Sequence, residues 1–166
     1  MIVDNLNKVR KTIPNHVRLV AVSKTKPSSF IEEAYQDNQR HFGENKALEM
    51  KEKAEKLPLD IQWHFIGHLQ RNKVKYIIPS VYLIHSIDSL RLLQEVNKEA
   101  LKLNKVVNCL LQFHIASETT KFGFSIDEAT LMLKGNVFLA LKNIKIVGVM
   151  GMATFSDNEE LVKTEF

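Results

Sequence analysis

Two kinds of apolar segment alternate along this sequence, and that alternation limits the fold more than any other feature. Short β-rich runs occur at residues 17–24 (VRLVAVSK), 39–45 (QRHFGEN), 61–68 (IQWHFIGH), 81–87 (VYLIHSI), 106–116 (VVNCLLQFHIA) and 144–153 (IKIVGVMGMA). Helix-like stretches separate them, at residues 28–36, 45–56, 72–79, 89–103 and 125–133. Strands alternating with helices imply βαβ units and a parallel sheet. In the fourth helix Leu92, Leu93, Val96, Ala100 and Leu103 make an apolar stripe at helical spacing. Three helix starts fit the capping box, a serine followed three residues later by glutamate: Ser29–Glu32, Ser125–Glu128 and Ser156–Glu159. Gly135 and Asn136 are expected to interrupt the helix after Leu133, with a second helical piece to follow.

Six βα units result, the sixth helix only begun at NEELVKTEF. They fit two α/β architectures, a doubly wound open sheet or a (β/α)₈ barrel of TIM type with about six of its eight units present. A complete barrel takes about 250 residues, and this chain has 166. The expectation is one domain over residues 1–166, truncated before its last two βα units.

Composition excludes several function classes. With 45% hydrophobic and 25% charged residues, the chain is of ordinary soluble type and can bury one sizeable core. Its net charge of +4 is spread over scattered lysines with no dense block or aromatic-interleaved stripe, so no nucleic-acid partner is expected. No run of about 18 apolar residues occurs, so no membrane partner is expected. The polar N-terminus is not a secretory signal. The single cysteine, Cys109, fits a reducing, cytoplasmic setting and reads as a small buried apolar residue.

In either architecture function gathers at the C-terminal ends of the strands. Those ends are polar: Ser23 to Lys26, Gly43 to Asn45, Gly67 to Gln70, His85 to Asp88, His114 to Glu118 and Met150 to Met152. If the first strand runs straight, Val20, Val22, Lys24 and Lys26 share one face. Facing inward, Lys24 becomes a partly desolvated amine with a lowered pKa and a second cation roughly 6–7 Å along the strand, the usual setting of a Schiff-base lysine. Facing outward, both lysines are solvated in the turn before Pro27. His64 and His68 sit four apart on a strand, about 13 Å, too far to share a metal. His64 is expected to pack beside Trp63 and Phe65, His41 to sit in a core or second layer, and His68 to face the site. No phosphate loop or dinucleotide fingerprint is present.

Taken in order, LVAVSKTKP, RHFGEN, IQWHFIGHLQRNKVK, IHSIDS and TTKFGF resemble the pyridoxal phosphate homeostasis protein family (the YggS/PROSC family). The resemblance runs across the chain to GVMGMA. It implies a single (β/α)₈ barrel like the N-terminal domain of alanine racemase, with pyridoxal 5′-phosphate held as a Schiff base on Lys24. It also implies Asn45 near the cofactor ring, His68 at the same mouth, Met150 against the ring, and Lys26 as an electrostatic neighbour. Family members are carriers or regulators of pyridoxal phosphate, without robust catalysis, and the implied partners are the cofactor and the apo-enzymes that receive it. The alternative is a Schiff-base enzyme of racemase, decarboxylase or aldolase type. Family members end in two further βα units that grip the phosphate, and those are not in this sequence. Members are monomeric, but exposed barrel edges here favour association.

Overall fold

A computed structural model describes residues 1–116 and 122–166. The strand-end residue Glu118 and the start of the TTKFGF motif lie outside the described residues.

The six expected strands all form, as β1 (Ala21–Val22), β2 (His41–Glu44), β3 (Gln62–Phe65), β4 (Val81–Ile87), β5 (Val107–Phe113) and β6 (Ile144–Gly151). They make one sheet in the order β1-β2-β3-β4-β5-β6, every adjacent pair parallel. Sequential order in a parallel sheet is the wall of a (β/α)₈ barrel and not a doubly wound sheet, whose strand order reverses at a switch point. The wall is not closed: β1 and β6 are its two edges.

The helices are α1 (Ile2–Thr12), α2 (Ser28–Gln36), α3 (Ala47–Ala54), α4 (Val74–Ile77, entered through a 3₁₀ turn at Arg71–Lys73), α5 (Leu90–Lys102), α6 (Ile126–Lys134), α7 (Asn136–Leu139) and α8 (Glu159–Glu165). The main core lies between the sheet and its helices. Ile31, Met50, Ile77, Leu92, Leu93 and Val96 meet Phe42, Trp63, Phe65, Ile84, Val107 and Cys109 there. The α5 stripe is buried at Leu92, Leu93, Val96 and Ala100, while Leu103 has left the helix and is exposed. The second helical piece expected after Gly135 is α7.

Several expectations need correction. Helix α1 is absent from the sequence reading. Ile2 and Leu6 pack against the core, but no residue of α1 is fully buried, so its apolar face is thin. Of the three capping boxes only Ser125–Glu128 forms, with both reciprocal hydrogen bonds. At α2 the chain enters the helix from Pro27, and Ser29 lies inside it without capping. At α8 the cap is Asn158, which accepts from the amides of Glu160 and Leu161. Ser156 accepts instead from Asn158 N–H. Strand β1 is far shorter than residues 17–24. It has a single neighbour, and the chain turns sharply just after it.

Candidate functional site

That turn presents the two lysines. Ser23 N–H still bonds to Gly43 O at 2.9 Å, one step beyond β1. Lys26 N–H then bonds back to Ser23 O at 3.1 Å, and Thr25 takes φ 63°, a left-handed conformation that is uncommon for a residue with a side chain. The strand therefore does not run straight through Lys26, and the shared face from Val20 to Lys26 is broken at Thr25. Lys24 and Lys26 are both exposed, the solvated of the two arrangements that the sequence left open. Val22 beneath is itself 52% exposed. Among the described residues neither lysine side chain has a hydrogen-bond or ion-pair partner.

The backbone on both sides of Lys24 is held by a buried ion cluster. Lys53 of α3 donates its three ammonium protons to Ser23 O (2.8 Å), Glu44 Oε1 (2.7 Å) and Glu49 Oε1 (2.7 Å). Ser23 Oγ donates to Glu44 Oε1 at 2.6 Å, and Thr25 N–H donates to Glu49 Oε1 at 2.6 Å. The side chain of Glu44 is 0% exposed and that of Lys53 is 9% exposed. Burial pushes the Glu49 carboxyl up, but the bonds from Lys53 and Thr25 outweigh it and hold the group below its ordinary value. The i, i+4 spacing of Glu49 and Lys53 on one helix face is a signal in the sequence, but it fits a solvated surface pair equally well. Nothing local to Glu44 or Ser23 indicated the rest.

Asn45 follows β2 and His68 follows β3, and the parallel pairing of the two strands brings both to one cavity of about 360 Å³. Glu49, Phe65 and Lys73 also line it. The approach is close because residue 67 is glycine. A Cβ there would fall on the backbone of Asn45, 2.8 Å from its Cα. His68 stacks on Phe122 with ring centroids 4.2 Å apart, and its Nδ1 lies 3.5 Å from Asp88 Oδ2. Lys24, Lys26 and Met150 do not line this cavity. Met150 lines a separate apolar cavity of about 330 Å³ with Phe113, Ile115, Ile126, Val149 and Phe166.

Below the strand ends runs a chain of imidazoles that the sequence did not announce. His41 Nδ1 lies 2.9 Å from His64 Nε2, and His64 Nδ1 lies 2.8 Å from His85 Nε2. Tyr82 packs its ring against His41 and His64. His64 is thus buried as expected, but hydrogen-bonded on both sides rather than packed only by Trp63 and Phe65. Burial, then the neighbouring His85, His41 and Arg18, lower its pKa to about 3. No group of three or more His, Cys, Asp or Glu among the described residues is placed to hold a metal ion.

Comparison with known proteins follows this geometry closely. The family model of the alanine racemase N-terminal domain matches residues 1–166. A pyridoxal phosphate homeostasis protein of Helicobacter pylori is 34% identical over 99% of this chain and 76% of its own length. The chain belongs to the pyridoxal phosphate homeostasis protein family. The relative from Aquifex aeolicus is 39% identical over 92% of this chain, and the chain spans about two thirds of that protein, 66% of its length. The structure of PipY from Synechococcus elongatus superposes with a TM-score of 0.84 at 33% identity without pyridoxal phosphate, covering 94% of this chain and 73% of PipY. With pyridoxal phosphate bound to PipY the TM-score is 0.83 at 31% identity, covering 96% and 74%. An alanine racemase from Clostridium difficile shares the fold alone, at 14% identity and a TM-score of 0.81, over 99% of this chain and 44% of the racemase. No helix among the described residues is long and apolar enough to cross a membrane.

Proposed function

We propose that this chain binds pyridoxal 5′-phosphate covalently at Lys24 and serves intracellular pyridoxal phosphate homeostasis. The observation that carries the reading is an unpaired primary amine at the C-terminal end of β1, on a loop anchored from both sides, with the β2 end that bears Asn45 next to it in the sheet. The relatives' shared name and the cofactor bound to PipY support it.

The donor set fits the group. When bound, the cofactor supplies an aldehyde that condenses reversibly with a primary amine and releases water. Lys24 provides that amine with no competing partner, whereas Lys53 has all three protons committed and is buried. Asn45 and His68 orient the ring from their shared cavity. Lys26, one turn on, adds positive charge near an anionic ligand. Met150 lines another cavity and is given no part in this arrangement.

In this reading the protein is a carrier and not a dedicated enzyme, works in the cytoplasm and hands the cofactor to apo-enzymes. Residues 1–166 form, in this reading, one cofactor-binding domain of (β/α)₈ barrel type. The test is borohydride reduction of the protein mixed with pyridoxal phosphate, followed by peptide mass spectrometry. The expected result is a reduced adduct on Lys24 that disappears in Lys24→Ala. Labelling that persists at full level in Lys24→Ala defeats the assignment. Steady turnover of amino acids by the loaded protein favours the Schiff-base enzyme instead.

A further inference from the structure

We propose that Glu49, acting with Lys53 and Glu44, is a positioning residue for Lys24: it fixes the left-handed turn at Thr25 and with it the backbone from which the amine projects. This rests on the reading of Lys24 given above.

The ion cluster is more than general stabilisation, because its bonds converge on the two peptide units that flank one lysine. Ser23 is gripped at its hydroxyl by Glu44 and at its carbonyl by Lys53. Thr25 is gripped at its amide by Glu49. Lys24, between them, contributes no side-chain bond of its own. A surface lysine is otherwise a long, freely rotating chain. Here its Cα is fixed on both sides while the amine stays free. Thr25 at φ 63° is in a region that a β-branched residue seldom enters, and such conformations persist only where surrounding bonds over-determine them. The Glu49 bond to Thr25 N–H does this directly.

Glu49 also lines the cavity that holds Asn45 and His68. One carboxylate therefore touches both the loop that carries the amine and the pocket that receives the ring. The arrangement couples them: the Lys53 bond ties Glu49 to Glu44, and Glu44 is the last residue of β2, immediately before Asn45.

Glu49 is the residue to change. Removing Lys53 would strand Glu44 as an uncompensated buried charge and risk the fold. The side chain of Glu49 is 21% exposed and tolerates truncation better. Wild type, Glu49→Ala and Glu49→Gln are mixed with saturating pyridoxal phosphate. The rate of covalent attachment is followed by absorbance and by borohydride quenching, with the label mapped by mass spectrometry. Amide hydrogen exchange at Thr25 is measured without cofactor, and thermal unfolding serves as the control for folding.

Misplacing a reacting amine costs on the order of 10- to 100-fold in rate. Glu49→Ala is expected to slow attachment at Lys24 by about tenfold or more at saturating cofactor, move label toward Lys26, and speed exchange of the Thr25 amide. Glu49→Gln keeps an acceptor for Thr25 and is expected to recover most of the rate. If Glu49→Ala lowers the melting temperature but attaches at the wild-type rate, the cluster is only structural and the proposal fails. Unchanged exchange at Thr25 also overturns it, whatever the labelling. Wild type that takes no label on Lys24 defeats the cofactor reading itself, and the positioning role falls with it.

Discussion

Arg18 Nη1 lies 2.7 Å from His41 Nε2, and that contact fixes the tautomers of three imidazoles. A guanidinium only donates, so His41 Nε2 must accept and the His41 proton must sit on Nδ1. His41 Nδ1–H then donates to His64 Nε2, which places the His64 proton on Nδ1, and the same step passes to His85. All three rings are neutral in this pattern. Protonating His41 or His64 at the accepting nitrogen sets two donors face to face.

The first prediction is a loss of stability in mild acid. In the fold, burial lowers all three pKa values, the neighbouring rings and Arg18 add to it at His64, and Arg18 adds to it at His41. In the unfolded chain each ring titrates near 6.5, while folded His64 stays neutral to about pH 3. Between those values the unfolded state binds more protons, so stability falls as pH falls. Each such proton contributes a slope of up to about 1.4 kcal/mol per pH unit. Urea unfolding at pH 7, 6, 5 and 4 should show this, with a shallower decline in His64→Gln. Parallel declines in the two proteins would sink the idea.

The second prediction separates a formed cap from an apparent one. Ser125 and Ser29 both precede a glutamate by three residues, but only Ser125 accepts the helix amide. Ser125→Ala should cost about 1 kcal/mol, and Ser29→Ala should stay within about 0.5 kcal/mol. Denaturant melts of the two variants check it, and equal losses count against it.

These contrasts mark what the residues disclosed. All six strands were legible because short β-rich runs, such as IQWHFIGH and VYLIHSI, alternate with helix-like stretches. Lys24, Asn45 and His68 were legible as strand-end polar groups, since parallel pairing places such ends together. Lys53 was not, because a lysine on a charged helix reads as solvated until the fold shows Glu44 beneath it. The imidazole chain was not, because its rings come from three strands and depend on registers that no local pattern encodes. Whether Lys24 faces inward or stays solvated was left open for a related reason: the turn at Thr25 is held by Glu49, 24 residues away.

The third prediction concerns Cys109. It is fully buried, and burial pushes its thiol up to about 12. The thiolate is the reactive form, and burial leaves almost none of it present at pH 8. A disulfide reagent such as dithiobis(nitrobenzoic acid) should leave the native protein unmodified over minutes. One thiol per chain should then titrate at once in guanidinium. Rapid reaction of the native protein would contradict the buried assignment.

The fourth prediction tests why residue 67 is glycine. An alanine Cβ would collide with the backbone of Asn45, which cannot swing aside as a side chain can. Gly67→Ala should therefore cost about 1–3 kcal/mol, the range for overpacking. Gly148→Ala is the control, since its Cβ would meet only the Cδ2 of Leu110, at 3.3 Å. That contact yields to a small shift of a flexible side chain, so Gly148→Ala should cost less. Function separates the two as well. Relief at Gly67 must come from moving the β2 end, which carries Asn45 into the cavity it shares with His68. Gly67→Ala should thus weaken pyridoxal phosphate labelling at Lys24, and Gly148→Ala should leave it near wild type. Equal melting losses in the two variants, with labelling unchanged in both, would mean that the Asn45–Gly67 approach neither constrains the fold nor shapes the site.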